Sequence, residues 1–480
     1  MNRTGYSVRL ESDDLDCDDL HVVKLEGTER ISQPFRFDVD LTCIDPAGLD
    51  VAKTVGALVT LVFSTGDELV RRVHGVIETV EDRLETEAAY RSYRFQIVPR
   101  LRRLALVETS DVFTDASVPE IARQKLELVG LDSALDDRLL DKYPTREFVV
   151  QYQETDLAFV SRLLEHLGIS YVFRHDEDQD RVLLVDAAHT FPRLELEVCY
   201  QGRGERTDVY RLEARTTVIP NHYVVQDYNY RTPRVDVVGE HRSALGFAGG
   251  VVEFGNHTKT VSEANALARV RGEQREAQQV VYHGESAVMA LSAGSRFSLS
   301  DHPHVEDDLL LVAVTHHMVQ PAMMSGGSAT EKPATYRNTF EAIPANRTYR
   351  PPRVTPRPRI AGVVTGIIEM PDGASNRFPL IDDEGRYTVR FPFDTAAPGE
   401  RKASHPVRLA QLSAGSRYGT HFPLRPGVEV MIAFTGGDPD RPIIAGAVPN
   451  PEVSSPVVGA DAMKSRIKSE SGVLIEFSDK

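Results

Sequence analysis

Apolar and polar residues alternate in short runs along most of this chain, which predicts strands more often than helices. Val22-Val23-Lys24-Leu25-Glu26-Gly27 and Phe35-Arg36-Phe37-Asp38-Val39-Asp40-Leu41 open the series, the second in clean period-two alternation. Val59–Phe63, Arg71–Ile77 and Tyr93–Val98 continue it. Short strands at such spacing suggest a barrel or sandwich. A 3.6-residue period replaces this pattern in three places. Ser117-Val118-Pro119-Glu120 reads as a capping box, with Ile121, Leu126 and Val129 on one face and Gly130 closing the helix. In the stretch 151–169, Thr155 reads as N-cap, Asp156 complements the helix dipole, Leu157, Val160, Leu164 and Leu167 form a stripe, and Gly168 ends the helix before a strand, Ile169–Phe173. A third helix is expected near 262–278, with Ala264, Leu267, Ala268 and Val270 packed and Arg269, Arg271, Glu273 and Arg275 wet. The class this pattern predicts is mainly β with helical inserts (α+β).

The pattern changes at 346–359, where prolines alternate with Arg347, Arg350, Arg353, Arg357 and Arg359. Such a segment joins neither a helix nor a central strand, and it predicts an extended, solvated linker. From Ile360 to Asn450 five strand candidates follow: 362–368, 387–391, 407–412, 428–434 and 443–448, a count that suits a small barrel of the oligonucleotide/oligosaccharide-binding (OB) type. In the fourth, Val428, Val430, Ile432 and Phe434 share one face. After it, Gly436-Gly437 and Asp438-Pro439-Asp440-Arg441-Pro442 make a stiff turn whose prolines fix φ and whose aspartates can cap free amides. At the C-terminal end, Val473, Ile475 and Phe477 share a face that would invite aggregation unless paired. Leu-Ser-Ala-Gly-Ser-Arg occurs twice, at 291–296 and 412–417, a repeat short enough to be coincidence.

Length and charge narrow the classes. At 480 residues the chain exceeds what one core usually serves. A formal net charge of −16 argues against general binding to nucleic acid or anionic membranes, which needs clustered Lys and Arg. The OB-type region has no Trp and carries Glu429 where a nucleic-acid groove would be basic. Cys17, Cys43 and Cys199 have no redox or metal spacing and read as reduced thiols, and the N-terminus has no apolar signal core. Four imidazoles, His302, His304, His316 and His317, are the weak candidates for a metal site; no Cys or HExxH pattern supports them. The acidic run 11–19 lacks the ligand order of a calcium loop. Glu154, Asp156 and Glu165 read as structural rather than as acid/base groups, two of them sitting at a helix start. No nucleophile elbow, HExxH or phosphate loop is present, so no catalytic residue and no cofactor are expected.

Five stretches, in order, resemble VgrG proteins, the trimeric spikes of type VI secretion systems related to phage-tail hubs. They are Gly27–Phe35, Gln151–Phe173, the region His302–His317, Asp383–Phe391 (with Tyr387 where the family has valine) and Gly437–Val448. The last holds the family signature Gly437-Asp438-Pro439-Asp440-Arg441-Pro442, to which the resemblance gives a structural role. It implies a hub at 1–345 made of two tube-like β-barrels with helical inserts, the linker at 346–359, an OB-type barrel at 360–450, and at 451–480 a neck and the start of a triangular β-prism needle. It further implies a homotrimer that caps a tube of Hcp-type rings, contacts baseplate proteins, carries a PAAR-type tip protein and effectors if the needle is present, and touches the target membrane transiently. Such a protein is made in the bacterial cytoplasm without a signal peptide and expelled by sheath contraction. The alternatives are a spike carrying an effector enzyme beyond residue 480, or a phage-tail or extracellular injection hub. The stop at residue 480, so soon after the OB region, suggests a chain cut before a longer needle.

Overall fold

A computed structural model describes residues 5–45, 47–84, 90–176, 178–203, 208–305, 308–321, 333–370, 377–394, 403–416 and 418–479. Arg417, the last residue of the second short repeat, and residues 1–4 lie outside these. The chain forms two compact units, both discontinuous. The first holds Met1–Leu106, Ala122–Tyr143 and Val160–Pro356; the second holds Val107–Ile121, Pro144–Phe159 and Arg357–Lys480.

The first unit is organised on a twelve-stranded sheet. Its first half runs Tyr6–Glu11, Leu58–Thr65, Glu68–Asp82, Arg91–Val98, Gln33–Cys43, Leu20–Arg30, and its second continues Leu309–Val319, Thr335–Pro344, Val280–Ser286, Val209–Thr216, with Arg296–Ser300 and Arg193–Cys199 branching from Leu309–Val319. The halves are joined where Leu20–Arg30 pairs antiparallel with Leu309–Val319, Gly27 opposite His316. Each half has its own core. Val39, Leu41, Phe63, Tyr93, Phe95 and Ile97 fill one; Phe297, Leu309, Leu311, Val314 and Phe340 fill the other. The sheet thus falls into two halves of one ladder. The period-two alternation works as it should: in Gln33–Cys43 every second residue from Phe35 on is buried.

The helices keep their predicted limits but not all their predicted faces. Val118–Leu128 starts on the expected capping box: the Glu120 carboxylate accepts from the Ser117 amide at 2.7 Å, and Ser117 Oγ from the Glu120 amide. Asp156–Leu167 is capped by Thr155, whose Oγ1 accepts from the Ala158 amide at 3.2 Å. It has no single buried stripe. Phe159, Val160, Leu163 and Leu164 are buried, but so are Ser161, Arg162 and Glu165, while Leu157 and Leu167 are only half-buried. The third helix, Val261–Glu276, buries Ala264, Leu267, Ala268 and Val270 as expected. Arg271, expected to be wet, is buried and paired with Glu253 at 3.1 Å.

Arg350 and Arg353 of 346–359 make ion pairs within the chain, although only Arg350 is buried and Arg353, Arg357 and Arg359 stay exposed. Arg350 is buried, donating to Glu273 at 2.7 Å and to the carbonyl of Gly168 at 3.1 Å; Arg353 pairs with Glu253. Glu165 accepts from the amides of Val354 and Thr355, both at 3.0 Å, and from the Thr355 hydroxyl. The carboxylate on this helix holds the segment against the first unit, which fits its reading as structural.

The second unit contains the OB-type sheet, in antiparallel order Val389–Arg390, Val363–Ile368, Glu429–Phe434, Pro442–Ala447, with Arg386–Tyr387 paired to Val407–Arg408. Its core of Ile368, Tyr387, Val389, Phe391, Val430, Ile432, Phe434 and Ile444 also takes Val112, Phe148 and Val150, from far earlier in the chain. Those residues lie on or beside an antiparallel pair, Glu108–Phe113 with Val149–Thr155. The last strand is not lone: Lys464–Lys468 pairs with Leu474–Ser478 in a hairpin whose apolar side chains are exposed in the single chain. The two short repeats are unrelated in setting, since Leu291 is fully buried and Leu412 is 94% exposed.

Candidate functional site

The signature loop is built by the two strands that flank it. Val430, Ile432 and Phe434 point inward and leave Glu429 and Met431 outside. The strand then ends on Gly436 and Gly437, at φ 66 and 74, a left-handed conformation in which a side chain would be strained. Asp438-Pro439-Asp440 follows as a turn closed by two backbone bonds, Arg441 N–H to Asp438 C=O and Thr435 N–H to Arg441 C=O, both 2.9 Å. Pro442 then begins the next strand.

Both aspartates point into the protein. Asp438 Oδ1 accepts from the amide of Asp440 at 3.2 Å and from Arg357 Nη2 at 2.8 Å. Asp440 Oδ1 accepts from the amide of Val150 at 2.7 Å, and its other oxygen lies 3.4 Å from the same Arg357 nitrogen. Gly437 contributes its carbonyl to the Ile360 amide at 2.8 Å. Two buried carboxylates therefore gather a strand from residues 144–159, the arginine that opens the C-terminal stretch, and the loop itself. The anticipated amide capping is real, but no local pattern points to a partner 290 residues away. Chemically this is a clamp, with Asp438 Oδ1 and both oxygens of Asp440 facing donors.

The Gly27–Phe35 stretch is a second built site, in the first unit. A Cβ on Gly27 would lie 2.2 Å from the buried Phe37 ring. Ser32 sits at φ 61 and exchanges two hydrogen bonds with Tyr171: its amide donates to the Tyr171 carbonyl, and its Oγ accepts from the Tyr171 amide. Glu29 accepts from Arg71 at 2.8 Å and lies 3.0 Å from His316 Nε2. Burial pushes this carboxyl up, but Arg71 and the neighbouring imidazoles outweigh it and hold Glu29 well below the usual carboxylate range. An ionised carboxylate only accepts, so His316 Nε2 carries the proton and Nδ1 accepts from the Tyr336 hydroxyl at 2.6 Å. Tyr336 in turn accepts from Asn338. Burial lowers the His316 imidazole, with Glu29 opposing it, and raises the Tyr336 phenol. Sequence reasoning missed this relay, whose members come from four strands.

The four candidate metal-ligating histidines are divided. His316 is buried and spent on Glu29 and Tyr336. His317, next in the same strand, faces the other side. His302 stacks edge-on against Tyr200 at 4.5 Å and its Nδ1 accepts from the His304 amide.

Comparison with known proteins gives these sites a context. Residues 28–322 match the family described as phage tail baseplate hub (GPD), and residues 380–448 match the type VI secretion system/phage-baseplate injector OB domain. The chain is 31% identical over 465 residues to the type VI secretion system spike protein VgrG5 of Pseudomonas aeruginosa, covering 93% of this chain and 58% of that protein. It is 28% identical over 468 residues to the actin cross-linking toxin VgrG1 of Vibrio cholerae, covering 93% of this chain and 42% of that protein. The chain thus spans only about half the length of these relatives. Among solved structures, an Escherichia coli protein described as a component of the type VI secretion system, with structural similarity to the T4 bacteriophage tail proteins gp27 and gp5, superposes with a TM-score of 0.67 at 25% identity, over 92% of this chain and all of that one.

Proposed function

The chain belongs to the phage tail baseplate hub family, and from that membership we propose that it is the hub and spike base of a contractile injection machine of the type VI kind, working as a homotrimer. The hub match and the injector OB match, in that order on one chain, are the observation that carries the reading. A hub at 1–345 would cap a tube of Hcp-type rings and seat on baseplate proteins, and the OB-type region and neck would start a needle bearing a PAAR-type tip and effectors. Its work is mechanical: sheath contraction supplies the energy, and the trimer transmits force.

The C-terminal hairpin supports the trimer. Val473 is 66% exposed, Ile475 51% and Phe477 66% in the single chain. Five-residue strands with that much apolar exposure are stable in water only when covered, and winding three copies together covers them. Asp438 and Asp440 of the signature loop and Glu29 of the hub accept hydrogen bonds from donors within the chain, which supports a structural role for them. An enzyme in the same polypeptide is the second reading, favoured by the toxin named among the relatives; it would lie in sequence outside the 480 residues.

The test is the solution mass by light scattering after size exclusion. Three copies of 53.3 kDa give 3 × 53.3 = 159.9 kDa. A trimer supports the proposal, and a monomer that persists when a longer needle is appended overturns it.

A further inference from the structure

The hairpin Ser170–Asp176/Gln179–Val185 is fixed to the first unit unequally along its length. Its root is buried: Tyr171, Val172, Leu183 and Val185 are core residues, and the Ser32–Tyr171 bonds tie it down. Toward the tip, Phe173, Arg174, His175, Asp176 and Arg181 are only half-buried. Three of the contacts that hold that end stand out. Phe173 meets Phe35 edge-on at 5.1 Å. Asp180 binds Arg100 through its carboxylate and its carbonyl. The third is unusual: His175 Nδ1 accepts the backbone N–H of His74 at 3.1 Å. His74 lies in the strand Glu68–Asp82, whose pairing with Arg91–Val98 begins only at Val76 opposite Val98, so the imidazole takes the place of a missing ladder acceptor.

We propose that the tip of this hairpin is an acid-released latch, closed by an imidazole that must be neutral to hold the backbone of the neighbouring strand. A protonated His175 would set an N–H against the N–H of His74, turning the bond into a clash. The charges around it do not all press the same way: Arg71 and His74 resist a proton on the ring, whereas Glu29 favours one. From Glu68–Asp82, Arg71 and His74 face the ring, and from Leu20–Arg30 comes Glu29, whose charge is already shared by Arg71 and His316. From its own hairpin, Asp180 stands opposite it in the ladder and is committed to Arg100, while Arg174, Asp176 and Arg181 pair with one another. His74 has no slack either: Nδ1 lies 2.9 Å from Thr60 Oγ1, and its buried Nε2 has no hydrogen-bond partner among the described residues. Burial first, then Arg71, lowers the His175 imidazole from 6.5 to about 3 in the closed tip. The closed form is therefore favoured fully above 6.5 and loses ground as pH falls from there toward 3. The buried root, tied by the Ser32–Tyr171 bonds, stays while the tip loosens.

Hydrogen–deuterium exchange of the full chain between pH 7.5 and 5, corrected for the intrinsic rate, reads the latch directly. Protection of peptides across 173–182 should fall roughly 30-fold, from the linkage of the two pKa values, while the helix Val261–Glu276 holds its protection. His175→Asn keeps an acceptor near Nδ1 without a titrating ring and should abolish most of the pH dependence. Arg100→Met should raise opening equally at both pH values. Protection unchanged down to pH 5 overturns the proposal. So does a pH dependence that survives His175→Asn but vanishes in His74→Gln, since the titrating latch would then be His74.

Discussion

Asp440 is a short side chain that satisfies a backbone amide and an arginine at once. Removing it leaves the buried Val150 N–H without its acceptor, so Asp440→Ala should lower the stability of the second unit by about 1–3 kcal/mol; an unchanged urea midpoint would show the clamp to be idle. Glu29 makes a pH-dependent case. Its folded pKa is depressed, so its contribution is complete above about 4.5 and is lost as pH falls below that. Glu29→Gln should therefore cost about 3–5 kcal/mol at pH 7, because Arg71 is left buried without its counter-charge. The gap from the unsubstituted chain should narrow as both are titrated below pH 4.5 in denaturant melts; a gap constant with pH would rule out an ionised Glu29. Little of this could be read from sequence. The Gly-Asp-Pro-Asp-Arg-Pro loop announced its turn and its capping aspartates through residue chemistry alone, whereas Glu29, His175 and His316 act through partners on strands from 42 to 287 residues away.

Among the elements, strands were the most legible, because period two follows directly from one buried face, as Gln33–Cys43 shows. The helix Asp156–Leu167 was placed correctly but misread in its faces: a stripe rule assumes one wet side, and this helix buries Phe159, Leu163 and even Arg162 and Glu165. Nor does any local pattern reveal that Val112, Phe148 and Val150 belong to the core of the OB-type sheet. Phe148 packs on Phe391 and, at 4.8 Å, on His405. Phe148→Ala should thus destabilise the second unit by about 3–5 kcal/mol, although it lies more than 200 residues before the matched OB segment. Calorimetry resolves this: if only the transition of the first unit moved, Phe148 would have been assigned to the wrong core.

For the whole molecule, the proposed trimer makes the exposed hairpin the decisive surface. Replacing Phe477 with Asp and Ile475 with Lys together should drop the light-scattering mass from 159.9 to 53.3 kDa, while leaving the circular dichroism of the single chain intact; a mass that stayed trimeric would move the assembly surface elsewhere. The division of the chain has another consequence. The polypeptide passes from one unit to the other at 106/107, 121/122, 143/144, 159/160 and 356/357. A genetic crossover in the proline-rich segment would therefore not transplant a complete C-terminal unit. The incoming barrel would meet a resident Val112, Phe148 and Val150, and its own aspartate clamp would have to close on a stranger's backbone. Recombinants at that junction should survive only between chains whose early and late segments already match.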